Sequence, residues 1–538
     1  MKIRLTLFRK LFYCVCMLLC GSFSYAQKLR KTITLDFGWE TIMHQKDSAR
    51  YNGFHNVSFK TDKDWRKVDV PHNWDGYEGY RRLLHGNLHG YSWYRKNFSI
   101  KQQKNKNRFY LFFEGVGSYA TVWLNGMRVG YHAGGRTTFT LDVTDAIKLD
   151  GTPNLLAVRA DHPAHIMDLP WVDGGCSTER GFSEGSQPMG IFRPVSLLMK
   201  NEVSITPFGE HYWNDETADH KKAIVHQAVE ISNKSQRNKD VEIVTEVLDQ
   251  KGISILQSTS KEQIKVNTTK EIRLKDLVLA NPQLWSVDSP YLYRIKMQIK
   301  IGGQITDEVE TRYGVRSVRW SKGLKPSGDP RLLVNGKPIF INGIAEYEHK
   351  LGQSHAFDKE EIDARIRQIR TLGFNSFRDA HQPHNLRYQH AWDRHGILLW
   401  TQLAAHIWFD TPAFRENFKK LLTEWVRERR NSPSVILWGL ENESTLPEDF
   451  AWECTALIRK LDPTASIQRL VTTCNGGSGT DWDVPQNWTG TYGGNQNTYG
   501  EDLKKQQLVG EYGAWRSLGL HAEPPYLPNE SNYNEERF

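Results

Sequence analysis

Two glutamates stand directly after apolar runs in the C-terminal half of the sequence. The string SVILWGL leads into Glu441, Asn442 and Glu443, and the string LVG leads into Glu511. A carboxyl group at the end of a buried strand is costly unless it has a partner or a task. If two such groups face one cavity, one can protonate a leaving oxygen while the other attacks an anomeric carbon, at a separation of about 5–5.5 Å. We therefore predict that Glu443 and Glu511 are a catalytic pair.

The elements that position these glutamates alternate between strands and helices from about residue 321 onward. Seven short apolar runs predict parallel strands, namely 338–342, 374–377, 397–400, 435–438, 469–472, 488–492 and 508–510. Helices are predicted between them at 359–372, 385–394, 412–430 and 448–461. This alternation indicates a (β/α)8 TIM barrel, in which catalytic groups lie where the strands end. Only 27 residues follow Glu511, so we predict that the barrel is truncated after strand 7.

The two regions before the barrel are predicted as β-sandwiches. Residues 27–200 hold short alternating runs such as YLFF and ATVWL, with turn signals such as Asn125-Gly126 between them. This pattern indicates a jelly-roll sandwich. Residues 203–318 hold further strand-like runs, and their length suits an immunoglobulin-like sandwich. The catalytic barrel then occupies residues 319–538.

Residues 1–26 are typical of a secretory signal peptide, with a basic start, an apolar stretch and small residues before Gln27. We expect cleavage near Ala26 and export across the inner membrane to the periplasm. The leader holds four basic residues and no acidic one, so its removal lowers the formal net charge of +8 by four. The remaining charge is too small to indicate nucleic-acid binding, and no later run predicts a membrane span. The three cysteines outside the leader form no disulfide framework, and we predict no metal and no cofactor.

Longer motifs around the two glutamates carry a family resemblance. The segment 431–444 resembles the acid/base signature of family 2 glycoside hydrolases, which include β-galactosidases, β-glucuronidases and β-mannosidases. The string GEYG at 510–513 resembles their nucleophile motif. Further matches, in the family's domain order, lie at 71–74 (PHNW), 190–195 (GIFRPV), 281–285 (NPQLW), 333–338 (LVNGKP), 375–381 (NSFRDAH) and 393–400 (DRHGILLW). The resemblance covers nearly all of the chain after the leader.

The resemblance implies roles for the residues around the reacting bond. Glu443 would be the general acid/base and Glu511 the nucleophile. Asn442 would hydrogen-bond the sugar 2-hydroxyl, a contact that strengthens in the transition state. Tyr492 resembles the tyrosine that hydrogen-bonds the nucleophile.

Four further residues are predicted to bind substrate. Arg378 and His381 match pocket positions of the family and would steady the nucleophile or bind hydroxyls. Glu184 falls where galactosidases of the family place a sugar-binding aspartate. Glu441 stands where many members have glycine, and alternation along an extended segment would put it on the same side as Glu443. There it would rival the acid/base or touch a substrate hydroxyl.

These inferences favour a retaining, exo-acting β-galactosidase that acts on an oligo- or polysaccharide. A β-glucuronidase or another β-glycosidase of the family stays open. A glucuronide needs a cationic or amide-rich clamp for its carboxylate, and Arg516 is the nearest candidate. A non-catalytic carbohydrate-binding protein is the alternative from another class, although binding alone needs no pair of carboxylates. The sequence leaves homo-oligomerisation open.

Overall fold

The structure is a computed structural model, and it describes residues 29–44, 46, 53–74, 89–104, 106–163, 166–171, 188–321, 332–348, 356–404, 407, 409–444, 446–486 and 508–511. The predicted signal peptide, the predicted strand at 488–492 and the predicted truncation of the barrel lie outside these residues. They stay predictions.

The N-terminal region is a sandwich of two antiparallel sheets, as predicted. The described residues of this region form ten strands, which are β1 (Lys31–Thr34), β2 (Trp39–His44), β3 (Arg66–Val68), β4 (Gly90–Lys101), β5 (Arg108–Phe113), β6 (Tyr119–Leu124), β7 (Met127–Ala133), β8 (Phe139–Asp142), β9 (Asp150–His162) and β10 (Val195–Lys200). One sheet has the order β1-β10-β5-β8, and the other has the order β3-β2-β4-β9-β6-β7.

Alternating side chains form the core of this sandwich. Strands β5 and β6 both alternate between half-buried and buried positions, and the inward side chains include the fully buried Leu111, Phe113 and Val122. Asn125 and Gly126 both adopt positive φ angles, 55° and 86°, between β6 and β7. A two-residue hairpin loop of this kind requires left-handed backbone, which Asn-Gly accommodates. The predicted turn is confirmed.

The middle region is a second two-sheet sandwich of immunoglobulin-like size. Its strands are β11 (Val203–Asn214), β12 (Lys222–Asn233), β13 (Lys239–Leu248), β14 (Ser254–Ile264), β15 (Thr268–Arg273), β16 (Leu277–Ala280), β17 (Tyr293–Ile301) and β18 (Gln304–Tyr313). Strand β12 pairs with β11, β15 and β16, and the facing sheet has the order β14-β13-β17-β18. Apolar residues of both sheets, among them Ile231, Ile243 and Met297, form its core.

The C-terminal region begins with a small antiparallel sheet and continues as a parallel sheet with helices. The antiparallel strands are β19 (Val318–Arg319), β20 (Leu332–Val334) and β21 (Lys337–Ile339). The parallel strands, in spatial as well as chain order, are β22 (Gly343–Glu346), β23 (Ser376–Asp379), β24 (Leu398–Gln402), β25 (Val435–Gly439), β26 (Leu470–Cys474) and β27 (Trp482–Val484). The helices are α1 (Lys359–Thr371), α2 (Leu386–His395), α3 (Pro412–Arg429) and α4 (Glu448–Leu461).

The helices begin where their sequences supply caps. Asp358 and Glu361 form a reciprocal capping box at the start of α1, and Thr411 caps α3 just before its first residue, Pro412. Such caps satisfy backbone N–H groups that have no partner within the helix. All four observed helices agree with the predicted ones to within one residue at each end. In the part of the chain that the structure describes, no helix is long and apolar enough to cross a membrane.

The first barrel strand lies later in the chain than predicted. The prediction placed it at 338–342, but Lys337–Ile339 pairs antiparallel with Leu332–Val334. Asn335 and Gly336 join these two strands with positive φ angles of 53° and 76°, so the chain turns back there as a hairpin. The parallel strand is Gly343–Glu346, which pairs with Ser376–Asp379. An apolar run alone does not distinguish the two arrangements.

The N-terminal sandwich docks against the barrel through buried groups. Trp171 is 1% exposed and belongs to the barrel's apolar core, where its indole N–H donates to the Leu403 carbonyl. Arg193 donates to the Glu348 carboxylate at 2.7 Å and to the Pro383 carbonyl at 2.6 Å. The sandwich therefore contributes to the side of the barrel that follows strands β22, β23 and β24.

Candidate active site

The carboxyl ends of the parallel strands meet at one edge of the sheet, and polar side chains gather there. Strand β23 carries Arg378, and strand β24 ends at Gln402. Strand β25 runs directly into the segment 440–444, and strand β26 ends at Cys474. Parallel strands turn their carboxyl ends to the same face of a barrel, which is where barrel enzymes build their sites.

Arg378 connects the predicted nucleophile to the predicted acid/base segment. Its Nη1 donates to Glu511 Oε1 at 2.6 Å and to the Gly510 carbonyl at 3.1 Å. Its Nη2 donates to Asn442 Oδ1 at 2.6 Å and to Gln402 Oε1 at 3.1 Å. A planar guanidinium can hold two groups in fixed directions at once, which an ammonium cannot do. Arg378 thereby fixes Glu511 relative to the residue that precedes Glu443.

Neighbouring groups keep this arginine cationic beside Glu511, against the effect of burial. Burial alone would lower the pKa of Arg378, but the neighbouring Cys474 and the Glu511 carboxylate hold that pKa above its ordinary value. The guanidinium also lies over the Trp400 ring, 4.2 Å from its centroid, and the ring face attracts a cation. The Glu511 side chain is only 10% exposed. An ion pair in this setting favours the carboxylate form of Glu511, as a nucleophile requires.

A second connection between the two predicted carboxylates runs through Cys474. The Glu443 N–H donates to the Cys474 carbonyl at 2.9 Å. A Cβ atom on Gly510 would lie 2.6 Å from Cys474 Sγ, so the bare glycine backbone packs against that side chain. Gly510 also donates its N–H to the Pro485 carbonyl at 2.7 Å. The residue before Glu511 and the backbone of Glu443 thus contact the same residue, and the structure brings the two segments together.

Two hydrogen bonds hold the side-chain oxygen of Asn442 and leave its side-chain nitrogen for another partner. Its Oδ1 accepts from Arg378 Nη2 and, at 3.1 Å, from Gln486 Nε2. Its Nδ2 is buried and has no hydrogen-bond partner among the described residues. Because both bonds require an acceptor, the oxygen must face Arg378 and Gln486. A donor group without a partner remains, which suits a sugar hydroxyl.

His381 also lies beside Glu511. Its Nδ1 is 2.9 Å from Gln402 Oε1, and its Nε2 is 3.5 Å from Glu511 Oε1. Gln402 Oε1 accepts from Arg378, so this atom is an acceptor and His381 Nδ1 must be the donor. The Tyr347 ring contacts the imidazole edge to face, with 5.5 Å between ring centroids. The structure thus places His381 in the same cluster as Arg378 and Glu511.

Glu441, two residues before Glu443 in the sequence, is fully buried. Its Oε2 accepts from the Ser444 N–H at 2.9 Å. Burial raises the pKa of Glu441 to about 7, and the Asp483 charge acts in the same direction, whereas the hydrogen bonds from Ser444 and the charge of Arg378 oppose the rise. The prediction that Glu441 lies on the same side as Glu443 assumed an extended segment. That assumption is wrong, because Glu443 has a left-handed φ of 48°. A contact between Glu441 and substrate stays a prediction.

Glu184 and Tyr492, both predicted to bind substrate, lie outside the described residues, as does Arg516. Glu348, two residues after strand β22, forms a buried ion pair. Glu348 is buried against Arg193, and the Arg193, His384 and Arg136 charges hold its pKa below the ordinary value although burial acts to raise it. The described residues contain no group of three or more side chains that could hold a metal ion.

Three models of one protein family match the chain in sequence order. The sugar binding domain of glycosyl hydrolases family 2 matches residues 83–201, and the TIM barrel domain of the same family matches residues 328–529. A further model, described as glycosyl hydrolases family 2, matches residues 210–316 between them. The chain belongs to glycosyl hydrolase family 2. The predicted family is confirmed.

The curated relatives of this chain are named after two different substrates. The chain is 26% identical over 509 residues to a β-glucuronidase of Bacteroides fragilis, covering 88% of this chain and 69% of that protein. It is 28% identical over 433 residues to a β-galactosidase of Thermoanaerobacter pseudethanolicus, covering 77% of this chain and 54% of that protein. The chain thus spans about half to two thirds of the length of these relatives.

A solved family 2 structure has the same fold. The crystal structure of Bacteroides uniformis β-glucuronidase superposes with a TM-score of 0.78 at 22% identity, over 90% of this chain and 59% of that one. At this identity the likeness supports the arrangement of two sandwiches and a barrel.

The family 2 site of this chain includes two residues that the sequence analysis did not predict. Gln402 accepts hydrogen bonds from both Arg378 and His381, and Gln486 donates to Asn442. Gln402 ends strand β24, so the strand-end rule that selected Glu443 could have selected it too. Gln486 follows the short strand β27, and no pattern in the sequence singles it out.

Proposed function

We propose that this chain is a retaining, exo-acting β-glycoside hydrolase, with Glu443 as the general acid/base and Glu511 as the nucleophile. The observation that carries the proposal is the Arg378 guanidinium, which donates to Glu511 at 2.6 Å and to Asn442 at 2.6 Å. This bridge ties the carboxylate on one segment to the residue next to the carboxylate on the other. A retaining glycosidase needs two such groups on opposite sides of one bond.

The first step would form a glycosyl-enzyme. A Glu511 oxygen attacks the anomeric carbon, the bond from that carbon to the leaving oxygen breaks, and the Glu443 proton moves to that oxygen. The Arg378 contact supports this role, since it favours the charged form of Glu511. In the second step Glu443, now ionised, takes a proton from water as the water oxygen displaces Glu511. The sugar is released with its original anomeric configuration.

Asn442 and His381 are proposed to hold the sugar during these steps. Asn442 Nδ2 has no partner among the described residues and would donate to the 2-hydroxyl. His381 is oriented by Gln402 at 2.9 Å, and its other ring nitrogen would steady Glu511 or bind a hydroxyl. Hydrogen bonds of this kind contribute most when they strengthen in the transition state.

The sugar is proposed to be a β-galactoside, with a β-glucuronide as the second candidate. The β-galactosidase name of one relative supports the first choice, and the β-glucuronidase names of another relative and of a solved structure favour the second. A glucuronide carries a carboxylate that would require a cationic or amide-rich partner in addition to Arg378, which already contacts Glu511. Arg516 is the proposed partner in that case.

The experiment measures turnover of nitrophenyl β-galactoside, nitrophenyl β-glucuronide and the matching α-anomers by the purified chain. We expect turnover of one β-anomer and of neither α-anomer, and NMR should detect the β-sugar as the first product. Initial release of the α-sugar would contradict the retaining mechanism. Sugar binding without turnover of any substrate would favour the non-catalytic alternative.

Export is a separate proposal that rests on the sequence of residues 1–26. Expression with this leader in a Gram-negative host should yield a periplasmic chain whose N-terminus lies near Gln27. Recovery of an uncleaved cytoplasmic chain would contradict it.

A further inference from the structure

Glu441 has no role in the proposed reaction, yet it occupies a buried position two residues before Glu443. Its side chain is fully buried, and Oε2 accepts from the Ser444 N–H at 2.9 Å. Oε1 is also buried, and it has no hydrogen-bond partner among the described residues. A buried carboxyl with an unsatisfied oxygen costs free energy, so its presence at the active-site edge requires an explanation.

The space that Glu441 fills is provided by one glycine. A Cβ atom on Gly476 would lie 1.4 Å from Glu441 Oε1 and 2.3 Å from its Cδ. No side chain larger than hydrogen is compatible with the carboxyl in this position. Gly476 itself is held by its N–H, which donates to Asp483 Oδ1 at 3.1 Å. The carboxyl is therefore enclosed between the 441–444 turn and the loop that follows strand β26.

The turn that Glu441 closes determines the backbone of Glu443. Glu443 has a φ of 48°, a left-handed conformation that is unfavourable for a non-glycine residue and persists only where surrounding contacts enforce it. Glu441 supplies one such contact by binding the N–H of Ser444, the next residue along. Ser444 Oγ donates to the Asn442 carbonyl at 3.0 Å, and the Cys474 carbonyl binds the Glu443 N–H. Each residue flanking Glu443 is thus fixed.

We propose that Glu441 is a positioning residue for the acid/base, and that its carboxyl enforces the left-handed turn that aims the Glu443 side chain at the glycosidic oxygen. The inference rests on the proposed function. What the turn requires from Glu441 is an acceptor oxygen of the right length and shape. A negative charge is not required. The raised pKa of Glu441 agrees with this, because a partly neutral carboxyl fits the enclosed site beside Asp483, with Arg378 the charge that opposes the rise.

The test uses leaving-group dependence, which loss of stability alone does not alter. A substrate with a poor leaving group, such as a methyl glycoside, needs the Glu443 proton, whereas a dinitrophenyl glycoside hardly needs it. We expect Glu441→Ala to lower kcat/KM at least about 50-fold on the methyl glycoside and less than about fivefold on the dinitrophenyl glycoside. Glu441→Gln keeps the acceptor oxygen and should stay within about threefold of the unchanged chain on both.

Gly476→Ala provides an independent route to the same displacement, and it applies even if Glu441→Ala fails to fold. The new Cβ atom must expel the Glu441 carboxyl from its position, so the variant should show the same selective loss on the methyl glycoside. In the double variant Glu441→Ala with Gly476→Ala, the two losses should not add, because the second change acts only through the side chain that the first removes.

Asp393→Ala is the matched control, since Asp393 is a buried carboxyl that binds the opposite end of strand β25. It accepts from the Ser434 N–H at 3.2 Å and from Ser434 Oγ at 2.7 Å. Its loss should lower stability and reduce both activities by the same factor.

Three results would overturn the inference. They are an equal loss on both substrates in Glu441→Ala, unchanged activity in Gly476→Ala, and a Glu441→Gln variant as impaired as Glu441→Ala. Failure of the proposed function would look different, because the unchanged chain would then turn over neither substrate, or Glu443→Gln would lack the leaving-group dependence.

Discussion

The Arg469 side chain at the amino end of the barrel's parallel sheet and the polar groups at its carboxyl end differ in how completely they are satisfied. At the amino end, Arg469 donates to three backbone carbonyls and to Asp462, and every nitrogen of its guanidinium has a partner. At the carboxyl end, Gln402 Nε2, Asn442 Nδ2 and Glu441 Oε1 are buried without a partner among the described residues. Native proteins satisfy most buried polar atoms. We therefore expect a change at Arg469 to act through stability, and we propose that the groups at the carboxyl end bind the sugar.

The largest effect on activity at the carboxyl end is expected from a substitution of Glu511. We expect Glu511→Gln to lower kcat on the order of 10⁴-fold or more, because the amide cannot form the glycosyl-enzyme. Steady-state rates and the intact mass of trapped enzyme measure this. Glu453→Gln on α4, where Glu453 meets Lys419 in an exposed pair, is the control and should keep full activity. A Glu511→Gln variant with a tenth of the original rate would remove Glu511 from the mechanism.

A substitution at the amino end of the sheet should lower the free energy of unfolding. Arg469→Ala leaves Asp462, whose carboxylate pairs with Arg469 at 2.9 Å, buried without that cation. The expected loss is about 3–5 kcal/mol in the free energy of unfolding, with an unchanged KM in the protein that remains folded. Urea denaturation measures the loss. Lys270→Ala, which breaks a largely exposed pair with Glu262, should cost less than about 1 kcal/mol; similar losses in both variants would contradict the assignment.

Arg378→Lys keeps the positive charge at the carboxyl end but removes the planar fork that holds Glu511 and Asn442. We expect kcat/KM to fall about 100-fold, because the two segments lose their common partner. Unfolding by urea should change little. Arg365→Lys, at the ion pair between Arg365 on α1 and Glu346 at the end of β22, is the matched control. Equal activity in the two variants would mean that charge alone suffices at Arg378.

The smallest expected effect concerns Glu441 and pH. Its folded pKa of about 7 lies above the usual value for Glu, so the folded state binds more protons than the unfolded state between about pH 4.5 and 7. The stability that this protonation contributes is present below pH 4.5 and is lost as pH rises toward 7. Glu441→Gln cannot titrate, and its stability relative to the unchanged chain should rise by about 2 kcal/mol from pH 5 to pH 8. A constant difference across these pH values would show that Glu441 is ionised throughout.

The sequence predicted the four described helices of the barrel and strands β23 to β26 because their signals are local. It missed strand β27, and it placed a strand at 508–510 where the structure has none. Helix α4 spans Glu448–Leu461 as predicted, and Thr411 with Pro412 marks the start of α3. The first parallel strand was misplaced because an Asn-Gly turn forms a hairpin with a neighbouring apolar run. Whether such a run pairs forward or backward depends on tertiary contacts, which no local pattern contains.

The same limit applies to the candidate site. Charged residues at strand ends were predicted, and the structure joins Arg378, Asn442 and Glu511 by direct hydrogen bonds. Gln402 stands at a strand end, but a neutral amide is less costly there than a carboxylate and gives a weaker signal. Gln486 follows a short strand that no pattern in the sequence predicts. Their importance lies in what they orient, which only the folded arrangement reveals.

Trp171 belongs to the N-terminal sandwich by sequence, but its indole ring is part of the barrel's interior and its N–H binds the carbonyl of Leu403. Leu403 directly follows strand β24, whose last residue orients Arg378. Removing the N-terminal sandwich would therefore leave a cavity the size of an indole ring beside the end of strand β24. The N-terminal sandwich and the barrel share part of one apolar core and are therefore not independent modules.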